Sequence, residues 1–237
     1  MQLIINKTLE AINKYNLIED GDKIAIGLSG GKDSLTLMLV LNNIQKFYHK
    51  KFSIVAIAVD MFNGQNDYSL IQKLCDDNGI ELVIEKTEIY DILFNVRKET
   101  NPCSLCSKLR KGVLNNKAKE LGCNKVALGH HGDDFVETFF LSMIYEGRLS
   151  TFAPSCYLDR TKITQIRPML LVREKIIKKF ALSSKLPILH NPCPADKHTK
   201  REEIKQIMAS MEQMNPKLVN NVLRSLVDFD RQQGFFS

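Results

Sequence analysis

The sequence predicts an α/β fold, a doubly wound parallel sheet of about five strands with a helical C-terminal extension. Three observations carry this reading. Apolar runs of strand length alternate with stretches of helical spacing between residues 23 and 145, which calls for right-handed crossovers and a parallel sheet covered on both faces. A glycine-rich turn follows the first run, and a turn rich in His and Asp follows the fourth. Beyond residue 145 the alternation gives way to an irregular stretch and then to helical patterning.

Residues 1–20 hold apolar side chains at helical spacing, without the unbroken apolar core or cleavage site of a signal peptide, and predict an N-terminal helix. Residues 23–28 (KIAIGL) form the first strand and 35–47 a helix; residues 52–59 (FSIVAIAV) form a second buried strand, 68–78 a helix and 81–84 a third strand. A helix over 108–121 closes at Gly122, a fourth strand spans 125–128 and another helix spans 133–145. Residues 148–168 are irregular apart from one strand at 162–166, and 173–185 are helical. In the loop 190–194 (HNPCP), Pro192 and Pro194 hold the backbone extended. Two amphipathic helices, 199–211 and 216–228, complete the chain. This divides it into a helix (1–20), a nucleotide-binding and cysteine-bearing domain (21–185) and a cysteine loop with helical extension (186–237).

The 237 residues suit one large domain, and 44% hydrophobic with 25% charged residues, at mean hydropathy −0.17, leaves disorder, collagen and coiled coil without support. The longest apolar runs cannot span a bilayer, so a cytoplasmic protein with no membrane association is expected. Six cysteines are too few for a disulfide scaffold. The net charge of +6 is uneven: residues 1–150 carry net −1 and residues 151–237 net +7, while 97–125 hold eight cations against Glu99 and Glu120. A polyanionic partner fits this pattern, and a set of solvated lysine faces is the plainer alternative.

The turn Ser29-Gly30-Gly31-Lys32-Asp33-Ser34, with Leu28 ending the strand before it, stands where a doubly wound sheet binds anions at a helix N-terminus. Two glycines allow close approach, two serines add hydroxyls and Lys32 adds a cation. It is not a Walker A loop, which would need Gly in place of Ile26 and Ser or Thr in place of Asp33. A carboxylate beside phosphates is repulsive unless a cation bridges them, so Asp33 predicts magnesium. The matching turn, Gly129-His130-His131-Gly132-Asp133-Asp134, faces the same crevice if the strand order is 3-2-1-4-5. Asp133 and Asp134 have a second reading as helix N-caps. Asp60, ending the second strand, is a further candidate for the base or ribose of ATP.

Cys103 and Cys106 form a CxxC, and Cys193 lies far downstream. Spacing alone leaves an iron–sulfur cluster and a zinc site equally open, the latter with His130, His190 or His198 as fourth ligand. Cys75, Cys123 and Cys156 read as structural.

The motif SGGKDS resembles that of the PP-loop ATP pyrophosphatase superfamily. CSLCSKLRKG (103–112), ALGHHGDD (127–134) and IRPMLLVREKII (166–177) are most similar to the tRNA 2-thiocytidine synthetase family. The resemblance implies ATP-dependent activation of a tRNA pyrimidine, then replacement of its C2 oxygen by sulfur, with a [4Fe-4S] cluster on Cys103, Cys106 and Cys193. It implies tRNA and a sulfur donor, a persulfide carrier or sulfide, as partners and leaves a homodimer open. In that frame Asp33, Asp134 and Arg110 are the candidate catalytic residues, and Arg110, Lys111, Arg167 and Arg173 the candidate tRNA contacts. The chain departs from the family at Gly132, where arginine is usual, and at Asp196, where a second cysteine is frequent. A 2-thiouridine synthetase, a PP-loop amine ligase and a nucleotide-binding redox sensor are the alternatives.

Overall fold

The apolar run of β1 (Asp22–Leu28) is buried on both faces because it is a central strand with helices packed above and below the sheet. The computed structural model describes residues 1–97, 102–189 and 200–233, with side chains described to Asp228. β2 (Phe52–Asp60) and β3 (Leu82–Lys86) extend the sheet on one side of β1, and β4 (Lys125–Ala127) pairs on the other. With β5 (Ser155–Leu158) and β6 (Ile163–Ile166) the order is β3-β2-β1-β4-β6-β5.

Five strands pair in parallel, as the sequence predicts, and β5 is a sixth, antiparallel to β6 at the edge. Its four residues lie in the stretch read as irregular; three of them are exposed, so no alternating apolar face marks them. The β1–β4 pairing is fixed at its start by a buried knot. Lys125 Nζ stands 2.8 Å from Asp22 Oδ2 and 3.1 Å from the Leu17 carbonyl, and Asn124 Nδ2 donates to Asp22 Oδ1 at 2.7 Å. Pairing and full hydrogen bonding are what make two buried charges tolerable.

On one face lie α1 (Gln2–Lys14), α2 (Lys32–Ile44), α3 (Ser69–Asp77) and α6 (Glu174–Ser183), sharing a core that includes Ile12, Leu35, Met38, Ile71, Cys75 and Ile177. α4 (Pro102–Glu120) covers the other, with Leu114 and Ala118 against Ala25, Val55, Ile57 and Val126. α4 begins six residues before the predicted start because the Cys-Ser-rich first turn hides its period, and Pro102 opens it where a missing N–H costs nothing. α5 (Gly132–Leu141) joins α7 (Lys200–Met214) and α8 (Leu218–Gln233) through Phe135, Val136, Ile204, Met208, Val219 and Leu223. Among the described residues no helix is long and apolar enough to cross a membrane. Cys75 and Cys123 are buried, and burial pushes both thiols up, Cys75 to about 11 with Asp76 adding to the effect.

The extension is locked to the sheet domain by Arg173. Its guanidinium pairs with Asp133 at 3.1 Å and Glu212 at 2.9 Å and donates to Asn220 at 2.6 Å, while Asp133 also accepts from the Glu174 amide at 2.6 Å. Asp133, half-buried, and Arg173, buried, are expected at the nucleotide and at tRNA but pair with each other where α5, α6, α7 and α8 meet. We expect Asp133→Ala to lower stability by about 3 kcal/mol, because it leaves Arg173 under-compensated in a buried site. In urea denaturation the midpoint falls at unchanged slope.

Candidate functional site

Because β1 and β4 are parallel neighbours, the turns at their carboxyl ends open on the same edge of the sheet. They touch: a Cβ on Gly129 would stand 3.1 Å from the Ser34 amide nitrogen. The 29–34 turn is held by serines, with the Ser29 amide donating to Ser34 Oγ at 3.1 Å and Ser34 Oγ donating to the Gly31 carbonyl at 3.0 Å. Gly31 then opens α2 in an extended conformation.

In front of both turns lies a cavity of about 530 Å³, within the size range of small-molecule sites. Leu28, Ser29, Asp33, Ser34, Gly129, His130 and Asp134 form one wall. Cys103, Cys106, Arg110 and Lys111, from successive turns of α4, line the same cavity. One cavity thus joins the glycine-rich turn to the CxxC.

Other predicted residues are diverted. Lys32 Nζ is 3.0 Å from both Asp33 Oδ2 and Glu174 Oε1 and does not reach the cavity wall. Burial works against the Glu174 charge, but hydrogen bonds from Lys178 and Lys32 outweigh it and hold the carboxyl down to about 2. Asp60 is fully buried and accepts from the Phe62 amide at 3.1 Å, the Gly64 amide at 2.6 Å and Asn66 Nδ2 at 2.8 Å, so it builds the turn after β2 in place of touching a base or ribose. Gly30, at φ 79, carries Leu189 on its open side: the Leu189 amide donates to the Gly30 carbonyl at 3.0 Å, and its Cδ1 lies 2.6 Å from where a Gly30 Cβ would stand. Arg167 is buried beneath the surface. Cys193, with His190 and His198, lies outside the described residues.

His131 couples the two turns. Its Nδ1 accepts from the Asp134 amide at 3.3 Å while Asp134 Oδ2 accepts from the His131 amide at 3.0 Å, a reciprocal cap on α5. With Nδ1 an acceptor, Nε2 carries the proton and stands 3.6 Å from Asp33 Oδ1. Asp134 is thus both a cap and part of the cavity wall. Asp33 Oδ1 is buried with no hydrogen-bond partner, its near neighbour being His131 Nε2. His130 packs against Phe152 at 5.1 Å between ring centroids, and its Nδ1 is buried without a partner.

Met61, Tyr90 and Phe94 also line the cavity and were not anticipated. Cys106 Sγ donates to Met61 Sδ at 3.4 Å, and Phe62, Tyr90 and Phe94 form a ladder with centroid spacings of 5.0 and 4.7 Å. Tyr90 and Phe94 are carried by a π-helical turn (Asp91–Val96), which has no sequence periodicity of its own; the four-residue spacing of the two aromatics was the available signal.

A glycine-rich strand-to-helix turn at the switch point of a doubly wound sheet, facing paired cysteines, defines an anion-binding α/β protein of the nucleotide-binding class. The chain belongs to the PP-loop family, whose domain model matches residues 1–214. It is similar to the tRNA-cytidine(32) 2-sulfurtransferase of Geotalea uraniireducens (strain Rf4), 37% identical over 230 residues, 95% of this chain and 90% of that protein. The protein of the same name from Coxiella burnetii (strain CbuG_Q212) is 34% identical over 236 residues, 97% of this chain and 91% of that one. Among solved structures, the U34-tRNA thiolase NcsA from Methanococcus maripaludis with its [4Fe-4S] cluster matches with TM-score 0.75 and 25% identity over 97% of this chain and 79% of that chain. The NH3-dependent NAD synthetase from Campylobacter jejuni subsp. jejuni NCTC 11168, at 18% identity and TM-score 0.52, shares the fold alone.

The structure accounts for Gly132. A Cβ there would meet the carbonyls of Leu170 and Val172 at 3.1 Å and Leu223 at 2.9 Å, so the packed extension leaves no room for a side chain. Burial, reinforced by Arg167, pushes His130 down from 6.5 to about 4. A histidine kept neutral in the fold contributes stability that is full above the unfolded value and is lost as pH falls toward the folded one. His130→Gln is therefore expected to flatten the pH dependence of stability between pH 6.5 and 4, removing a slope that integrates to about 3 kcal/mol. Urea midpoints across that range check it.

Proposed function

We propose that this protein is an ATP-dependent tRNA thiolase that adenylates the C2 oxygen of a cytidine and replaces it with sulfur. The observation that carries the reading is the one cavity lined both by the serine–glycine turn and Asp134 and by Cys103, Cys106 and Arg110. The names of the relatives support the tRNA cytidine, and the NcsA neighbour supports thiolation.

ATP lies with its phosphates on the 29–34 turn, where the Ser29 hydroxyl and the α2 N-terminus receive negative charge and Ser34 holds the turn in shape. Asp33 fits a magnesium ion: it lines the cavity, its Oδ1 has no hydrogen-bond partner, and no cluster of three or more ligating side chains occurs among the described residues, so phosphates and water would supply the remaining ligands. The cytidine C2 oxygen attacks the α-phosphorus and pyrophosphate leaves. Arg110 faces the developing charge from α4, and Asp134 is kept in place by its reciprocal bonds with His131. A hydrosulfide-level nucleophile then adds at C2 and expels AMP, restoring the ring with C=S in place of C=O.

Cys103 and Cys106 fit a [4Fe-4S] cluster because their thiols, neither in a disulfide, stand three residues apart at the start of α4 and line the cavity. Cys193, the third ligand that the resemblance implies, lies outside the described residues. Held by these cysteines, such a cluster would supply a place to bind and present sulfur. Tyr90 and Phe94 offer ring faces for a base, and the buried, neutral His130 keeps an unprotonated nitrogen for hydrogen bonding.

The test is anaerobic reaction of the iron-loaded full chain with unmodified tRNA, Mg-ATP and sulfide, followed by mass spectrometry of the nucleosides. We expect 2-thiocytidine, with one pyrophosphate released per sulfur. Asp134→Ala and Arg110→Ala should lower the rate by about 100-fold or more while keeping the visible absorption of the iron centre; replacing Cys103, Cys106 or Cys193 should remove that absorption. Pyrophosphate release that needs no tRNA, or a nitrogen-substituted product, would overturn the reading. A 2-thiouridine product would move the target to the second reading, which the NcsA similarity favours.

A further inference from the structure

Two buried arginines sit beside this site, and their surroundings are opposite. Arg173 is compensated by Asp133 and Glu212. Arg167 is 6% exposed, and among the described residues no carboxylate lies within ion-pair distance of it. Its Nη1 donates to the Ala153 carbonyl at 2.6 Å, its Nε is buried with no partner, and Nη2 has no hydrogen bond among the described residues. The guanidinium lies 4.9 Å from the centre of the Phe152 ring, which also packs against His130 of the cavity wall. A buried cation with open donors and no counter-charge is costly unless an anion completes it.

The sheet geometry shows from which side that anion arrives. Cys156 and Gln165 are direct cross-strand partners on β5 and β6, and Gln165 Nε2 donates to Asn115 Oδ1 of α4 at 3.2 Å, so this row of side chains faces α4. Arg167, two residues after Gln165, follows the same alternation. Lys111, one turn before Asn115 on α4, is exposed at the cavity, and Arg110 beside it lines the wall. Lys111 and Arg167 are close enough that each cation disfavours another positive charge at His130 between them. The turn that would take ATP phosphates lines the same cavity from the ends of β1 and β4. The anion therefore approaches along the α4 and β5 rim.

We propose that Arg167 and Lys111 form a phosphate subsite for the RNA backbone next to the nucleotide being modified, with Arg167 as the buried fork and Lys111 as the exposed cation that guides the strand in. This rests on the tRNA reading above and adds the place where the strand is gripped. A guanidinium with free Nε and Nη2 presents the paired donors that bind two phosphate oxygens at once, which lysine cannot reproduce. The phosphate supplies the charge that the fold withholds, so Arg167 serves binding where Arg173 serves stability.

The experiment compares Arg167→Gln, Arg167→Lys, Lys111→Gln and Arg173→Gln in the full-length, iron-loaded chain, reading tRNA affinity across salt concentrations, affinity for a non-hydrolysable ATP analogue and thermal midpoint. Arg167→Gln is expected to weaken tRNA binding by about 10- to 100-fold and to reduce the log–log salt slope by about 0.7 to 0.9, the signature of one phosphate. It should leave ATP-analogue affinity unchanged and melt no lower than the parent, whereas Arg173→Gln melts lower. Arg167→Lys should recover the salt slope without the full affinity, and Lys111→Gln, at an exposed position, should lose slope with the fold intact. Should Arg167→Gln fail to fold, an unchanged slope in Lys111→Gln and full affinity in Arg167→Lys overturn the subsite. Parental tRNA affinity and slope in Arg167→Gln overturn it as well, and a loss confined to the ATP analogue assigns the arginine to the nucleotide instead. If the parent protein binds no tRNA, the functional reading itself fails, which is a separate result.

Discussion

The short parallel pairing of β1 with β4 is the constraint from which the site follows. Only Ile24, Ala25 and Ile26 pair across it, with Lys125, Val126 and Ala127, yet this ladder alone puts the turns after the two strands side by side. The Lys125–Asp22 pair pins the starting ends of the strands. A slip of one residue would turn the buried pair outward and move Gly129 off the Ser34 backbone. Every contact between the walls of the cavity presupposes that alignment.

Polar side chains around the cavity divide by whether the fold uses them up. Asp60, Asp133, Lys32 and Arg173 look in the sequence like ligand contacts, and each is satisfied by neighbouring amides or opposite charges. Asp33 Oδ1, His130 Nδ1 and Arg167 Nε are buried and unsatisfied. Buried polar atoms without partners are uncommon in folded proteins. Three around one crevice make sense when a ligand provides their partners, and their types, a carboxylate oxygen, a neutral imidazole and a guanidinium, suit a metal-bound nucleotide, a base and a phosphate.

The helical extension reaches the chemistry through packing. α7 and α8 close over α5 and leave no space at Gly132, and Glu212 and Asn220 hold Arg173 against the start of α6. The segment leaving α6 then lays Leu189 on Gly30. The described chain after α6 is therefore anchored on the glycine-rich turn through Leu189.

Local chemistry made much of this legible in the sequence. SGGKDS after a buried strand, the HHGDD turn and the CxxC carry their meaning in residue type and spacing, and apolar runs of strand length reveal a parallel sheet because such strands are buried on both faces. The edge strand at Ser155–Leu158 and the π-helical turn carrying Tyr90 and Phe94 were hidden, since exposed edges and irregular turns have no periodic apolar pattern. Charge partnership was hidden too: Arg167 and Arg173 stand six residues apart and read alike as basic residues near the tail. Only tertiary contacts gave one of them Asp133 and Glu212 and left the other without a counter-charge, because side chains distant in sequence decide how a buried charge is compensated.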